Sequence, residues 1–85
     1  MQFQEPMMPA PTCFLVARVL NRFGDMDYLC AWDRDFGTAT SLSPTRALPF
    51  PTEAEARDAC ERASHLVPTF IDGRRIEYRV IRMEL

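Results

Sequence analysis

The chain contains no lysine; all ten of its basic residues are arginine. Against twelve acidic residues they leave a net charge of −2 and a pI near 5.3. That balance argues against a dedicated nucleic-acid binder, whose domain is strongly basic. It also falls far short of the acidic excess of a DNA mimic. Glycine is scarce: Gly24, Gly37 and Gly73 stand alone, so no glycine-rich phosphate loop exists. No apolar run approaches the ~20 residues of a membrane span. The opening MQFQEPMMPAPT has no basic region, and its prolines interrupt any apolar core, so it does not read as a signal peptide. A soluble, cytoplasmic protein is expected.

Reactive side chains are equally sparse. The one histidine, His65, lies on the polar face of a predicted helix, while Cys60 on the same helix points to its apolar stripe. A nucleophile–histidine dyad is therefore not expected, and His65 reads as a complement to the helix C-terminus. Cys13, Cys30 and Cys60 form no C-x-x-C and leave one thiol over. They read as free and buried in a reducing compartment, with a secreted disulfide scaffold as the rival. Asp25-x-Asp27 and Asp33-x-Asp35 offer oxygen ligands without EF-hand spacing, in segments where aspartate commonly builds turns. No catalytic residue, cofactor or metal is assigned, and the chain is not expected to be an enzyme.

What is present is the material of one small domain. The chain has 85 residues, 47% hydrophobic and 26% charged, close to globular averages. Residues 1–12, with Pro6, Pro9 and Pro11, read as an extended N-terminal arm. The domain is expected over 13–85. CFLVARVL, Cys13 to Leu20, is apolar on both faces of its pleat and reads as a central strand. Tyr28–Trp32 is the second strand of a hairpin. With its turn centred on Gly24, the register sets Leu20 opposite Tyr28, Arg18 opposite Cys30 and Val16 opposite Trp32. Asp33–Gly37 reads as a turn and Thr38–Leu42 as a short third strand. Thr52-Glu53-Ala54-Glu55 is a capping box for a helix that ends near Leu66, before Pro68. Its apolar stripe is Ala56, Ala59, Cys60, Ala63, Leu66 and Val67. Glu53–Arg57 and Asp58–Arg62 are favourable i,i+4 pairs. Asp72-Gly73 predicts a tight type I′ turn. Arg75–Leu85 is the last strand, where Val80-Ile81 signals either a bulge or burial on both faces.

The expected fold class is α+β: a three- to four-stranded, mostly antiparallel sheet with one helix on one face, in ββαβ order. The last strand belongs beside the first, which becomes central. One helix covers one face only. The odd face (Cys13, Leu15, Ala17, Val19, Leu29, Ala31) has no charge in its middle and is assigned to the helix. The even face then presents Phe14, Val16, Arg18, Tyr28 and Trp32. It is left to solvent, to a partner, or to a lid made by residues 36–50 with Phe36, Leu42, Leu48 and Phe50. Tyrosine, tryptophan and arginine concentrate at interface hot spots. The candidate partner-binding residues are therefore Arg18, Tyr28, Trp32, Arg34 and Phe36, with Arg79 as an extension. Arg74, Arg75, Arg79 and Arg82 against one Glu make a basic last strand, read as a solvated edge or as a docking edge.

CFLVARVL, YLCAW, RALPFPTEAEARDA and IEYRVIRM together make the chain resemble small phage and prophage proteins of strand–strand–helix–strand layout. The resemblance covers about residues 13–85. It implies a non-enzymatic protein that binds a larger host or phage protein complex, a class that includes anti-CRISPR and other anti-defence inhibitors. It carries over no individual residue. Two other readings stand beside it: a homodimeric accessory protein whose open sheet face closes on a second copy, and a weak nucleic-acid module using the arginine-rich last strand.

Overall fold

A computed structural model describes residues 12–66, 70–71 and 74–84. The expected arm, apart from Thr12, lies outside these residues, as do Val67 and the Asp72-Gly73 turn. The elements are β1 (Thr12–Val19), β2 (Met26–Asp33), β3 (Gly37–Ser41), α1 (Glu53–Leu66), β4 (Phe70–Ile71), β5 (Arg74–Arg75) and β6 (Glu77–Glu84). One sheet has the order β3-β2-β1-β6, antiparallel throughout. The expected α+β class and the central position of the first strand are thus observed. β4 and β5 pair separately, Phe70 with Arg75 and Ile71 with Arg74. Arg75 therefore belongs to this small hairpin, and the last sheet strand begins at Glu77.

β1 and β6 pair without a break from Thr12↔Glu84 to Val19↔Glu77. Val80 lies opposite Val16 and Ile81 opposite Leu15. Adjacent residues point to opposite faces, so the Val80-Ile81 doublet serves two cores and involves no bulge.

The expected β1–β2 register is wrong by three residues: Ala17 faces Tyr28, Arg18 faces Asp27 and Val19 faces Met26. The cause is the turn. The Gly24 N–H donates to the Asn21 carbonyl at 3.2 Å, and Gly24 has φ of 86°. Gly24 is thus the last residue of the turn, not its centre. An odd shift exchanges the faces of β2 relative to β1. A second irregularity follows: β2 pairs with β3 as Leu29↔Thr40 and then Ala31↔Ala39, so Cys30 is a bulged residue. The bulge returns Trp32 to the same side as Leu29.

The helix covers the even face of β1, not the odd one. Val16, Leu29, Ala56 and Ala59 form the buried centre, with Phe14, Trp32, Leu48, Phe50, Tyr78 and Val80 around it. Charge in the middle of that face, from Arg18, is neutralised by buried Asp27, which the wrong register had not placed there. The other face holds Cys13, Leu15 and Ala47, with Tyr28, Ile81 and Met83. A single 3-10 turn, Pro44–Arg46, packs against β2.

The chain after that turn acts as a wedge. Phe14 and Phe50 exchange two backbone hydrogen bonds of 2.8 Å, and the Leu48 N–H donates to the Leu29 carbonyl at 2.9 Å. Residues 47–50 thereby occupy the gap where β1 and β2 diverge. Their alternation sends Leu48 and Phe50 to the helix side and Ala47 to the other. Of the four residues of the lid alternative, Leu48 and Phe50 pack against the helix-side core, while Phe36 and Leu42 stay exposed.

α1 starts as expected, the Glu55 N–H donating to the Thr52 hydroxyl at 3.2 Å. The reciprocal half differs: the Thr52 hydroxyl meets the Glu55 carboxylate, also at 3.2 Å. Ala56, Ala59 and Ala63 are buried, so the helix lies close on its sheet. Leu66, expected in the stripe, is 47% exposed.

Candidate docking site

The β2–β3 connection is tightly built. One oxygen of Asp33 accepts from the backbone N–H groups of both Asp35 and Phe36 at 2.8 Å. This is the aspartate turn chemistry expected from the sequence. Gly37 ends the turn with φ of 85°, and a Cβ there would sit 3.0 Å from the Leu66 Cβ and 3.1 Å from its carbonyl oxygen. The turn therefore abuts the last turn of α1.

That approach gathers Trp32, Arg34 and Phe36 from β2 and its turn with Arg62 and Leu66 from α1, around an open groove of about 580 Å³. The Arg62 guanidinium lies over the Trp32 ring, 4.1 Å from its centre. Such a contact contributes about 0.5–1 kcal/mol at an exposed site. Arg62 was expected to pair with Asp58; among the described residues no ion pair joins them, whereas Arg57 does bridge to Glu53 at 2.6 Å. Phe36 is 79% exposed. Asp33, Asp35, Arg34 and Arg62 give the groove rim charge of both signs.

The six candidate residues divide. Trp32, Arg34 and Phe36 share this groove. Arg18 is withdrawn on the helix side: its Nε donates to Asp27 at 2.9 Å and its Nη2 to the other carboxylate oxygen. The Asp27 hydrogen bond raises the Arg18 pKa against the cost of burial. Tyr28 packs on the opposite face with Cys13 and Leu15. Arg79 projects to that opposite face from β6, beside Glu77 at 3.1 Å. The single even-faced patch does not form, because the register shift moved Tyr28 and the Asp27 contact engaged Arg18. The sequence alone does not mark Arg62 and Leu66 for binding. The signal that could have found Arg62 is Trp32 itself, a large aromatic at a strand end that needs a cover.

A second groove, about 530 Å³, runs between α1 and β6, lined by Arg57, Cys60, Glu61, Ser64, Ile76, Glu77 and Tyr78. Burial pushes both the Cys60 thiol and the Tyr78 phenol up. A raised thiol is the reverse of an activated nucleophile. His65 is exposed and lies 4.0 Å from Glu61, in the last turn of the helix. The three cysteines are free thiols; Cys13 is buried, Cys30 and Cys60 half-buried. Of the acidic pairs, Asp25 accepts from the Asn21 amide at 2.8 Å, Asp27 holds Arg18 and Asp33 builds its turn.

The fold and groove define an α+β protein with an antiparallel sheet, one helix packed against it, and an aromatic–arginine cluster at one end. No protein-family model, curated protein or solved structure matches the chain. Among the described residues, no helix is long and apolar enough to cross a membrane.

Proposed function

We propose that this chain is a non-enzymatic protein-binding module that acts in the cytoplasm by docking on a larger protein. The mode is that of the phage-encoded inhibitors of host defence complexes that it resembles. The observation that carries the reading is the exposed Phe36 ring held beside arginine-capped Trp32 at the junction of the β2–β3 turn and α1. Tryptophan and arginine are the residue types most enriched at interface hot spots. The Asp33 hydrogen bonds and the Gly37–Leu66 approach hold the turn in place before any partner arrives. Preorganisation of this kind lowers the ordering cost of association.

Phe36 makes the cleaner probe. Trp32 also packs against the buried helix-side cluster, so its removal disturbs the fold. The immobilised chain is used to capture a partner from host lysate, and the captured protein, once identified and purified, is titrated against wild type, Phe36→Ala and Arg62→Ala. Both variants should keep the wild-type melting temperature within a few degrees and weaken binding by tenfold or more, equivalent to at least about 1.4 kcal/mol. Unchanged affinity in both would remove the groove from the interface.

A further inference from the structure

The sheet has two outer strands, and they are built differently. β6 carries Glu77, Arg79, Arg82 and Glu84, with Arg79 at 3.1 Å from Glu77 and Arg82 at 3.7 Å from Glu84. Charge along an edge is a common defence against pairing with another chain. β3 has the sequence Gly-Thr-Ala-Thr-Ser, with neither charge nor proline. From Phe36 to Thr45 the chain has no charged residue at all. Among the described residues, β3 pairs only with β2. Alternate peptide groups of its far side are therefore open to a further strand.

Two of the most exposed large hydrophobic residues flank this edge: Phe36 at 79% and Leu42 at 76%. They are equally distant in sequence from Ala39, the centre of β3. We propose that β3 pairs antiparallel with β3 of a second copy of this chain, centred on Ala39. In that register the two Ala39 residues face each other, Thr38 faces Thr40, and Gly37 faces Ser41. Phe36 of each copy lies beside Leu42 of the other, so the two exposed apolar side chains cover one another at both ends. Cross-strand threonine pairs are favourable. Shifting the register by two residues either way loses the Phe36–Leu42 match. The arrangement is isologous and closes on itself, as a two-fold dimer requires.

Thr38 and Thr40 point to the same face, so the two helices fall on the same side of one continuous sheet. The interface is small: a five-residue ladder with two apolar contacts lies at the low end of specific interfaces, below about 1,200 Å² in total. A reversible dimer with a dissociation constant of roughly 10⁻⁵–10⁻³ M is the expectation. This inference uses the strand edge and does not depend on the groove reading, although Phe36 contributes to both.

The test is sedimentation equilibrium on the full chain from about 10 μM to 1 mM. The wild-type mass should rise from 9.8 kDa toward twice that value. Ala39→Lys and Ala39→Glu should each remain monomeric, because like charges then face each other across the two-fold. An equimolar mixture of the two variants should associate at least as tightly as wild type. The side chain opposite Ala39 on β2 is exposed Ala31, so either replacement has room. Independently of any variant, amide exchange of residues 38–40 in the wild type should slow with protein concentration. A wild-type chain that stays monomeric to 1 mM overturns the proposal, leaving the edge to a strand of a different protein. So does a dimer whose mass the Ala39→Lys change leaves intact.

Discussion

The Tyr78 hydroxyl is buried close beside the Arg18 guanidinium, and among the described residues no hydrogen bond of good geometry reaches it. An unsatisfied buried donor costs about 1–3 kcal/mol. Replacing Tyr78 with Phe removes that cost, so the variant should be as stable as wild type at pH 7, or more so. Its alkaline behaviour should differ as well. Burial holds the Tyr78 pKa above the ordinary 10.0, with nearby Arg18 opposing but not cancelling the shift. The folded protein keeps this proton after the unfolded chain has lost it. The resulting stability is present in full below pH 10.0 and is lost as pH rises through the folded value. Cys60, raised from 9.0 by burial, contributes with the same sign. Wild-type melting temperature should therefore fall more steeply than that of Tyr78→Phe between pH 9 and 11, the difference belonging to Tyr78. Parallel slopes would assign the alkaline loss elsewhere. Arg18 makes the complementary case. It is the one charge on an otherwise apolar strand segment, and only the true register supplies Asp27 as the reason it is there. The side chains are 19% and 8% exposed. Asp27→Ala leaves a mostly buried cation unpaired. Solvent still reaches part of it, so the cost should be about 2–3 kcal/mol, under the ~3–5 kcal/mol of a fully buried pair. Urea unfolding measures this, and Arg18→Met with Asp27→Leu should recover most of the loss.

At the scale of elements, strands and helix were legible because their signals are local: β1 apolar on both faces, a threonine cap at Thr52, alanines at helical spacing. Register was not legible, because it depends on which turn position a glycine takes. Gly24 ends its turn and so moves β2 by three residues. The Cys30 bulge then re-aims Trp32, and no periodicity in YLCAW announces it. The groove inherits both effects: Trp32 reaches the helix side only through the bulge. Gly37 supplies the other half of that geometry and can be separated from Gly24 by experiment. Both have left-handed φ, 86° at Gly24 and 85° at Gly37. An added Cβ meets nothing within 4 Å at Gly24 but meets Leu66 at 3.0 Å at Gly37. Gly24→Ala should cost only the backbone term, about 1–2 kcal/mol. Gly37→Ala should cost measurably more and should also displace the end of α1 from the turn, visible as a change in Trp32 fluorescence. Equal losses at the two glycines would mean that the Leu66 contact relaxes without penalty.

At the scale of the whole molecule, the sheet carries a buried cluster on each face, built by different means. α1 supplies one cover from a contiguous amphipathic segment. Among the described residues, Ala47 packs with Cys13 and Leu15 on the other face, beside Tyr28, Ile81 and Met83, and the wedge at 47–50 joins the two sides. The cover assigned from the sequence went to the wrong face for a physical reason. An apolar odd face and a charged even face are a sound guide only if the charge is unpaired, and Asp27 pairs it. The wedge could not be foreseen because it rests on backbone hydrogen bonds between Phe14 and Phe50, residues that carry no pairing signal. This architecture makes the two faces comparable in weight. Leu29, on the helix side, and Leu15, on the other, are both 3% exposed. Either change to Ala should cost about 2–5 kcal/mol. That is a large share of the roughly 4–13 kcal/mol expected of a domain this size. Because the wedge ties the clusters together, they should unfold as one unit. Trp32 fluorescence reports the helix side and far-UV circular dichroism reports the whole chain. Leu15→Ala, although it lies across the sheet from Trp32, should lower both urea midpoints equally. A Leu15→Ala variant whose circular dichroism midpoint falls while its fluorescence midpoint stays at the wild-type value would separate the faces into independent units.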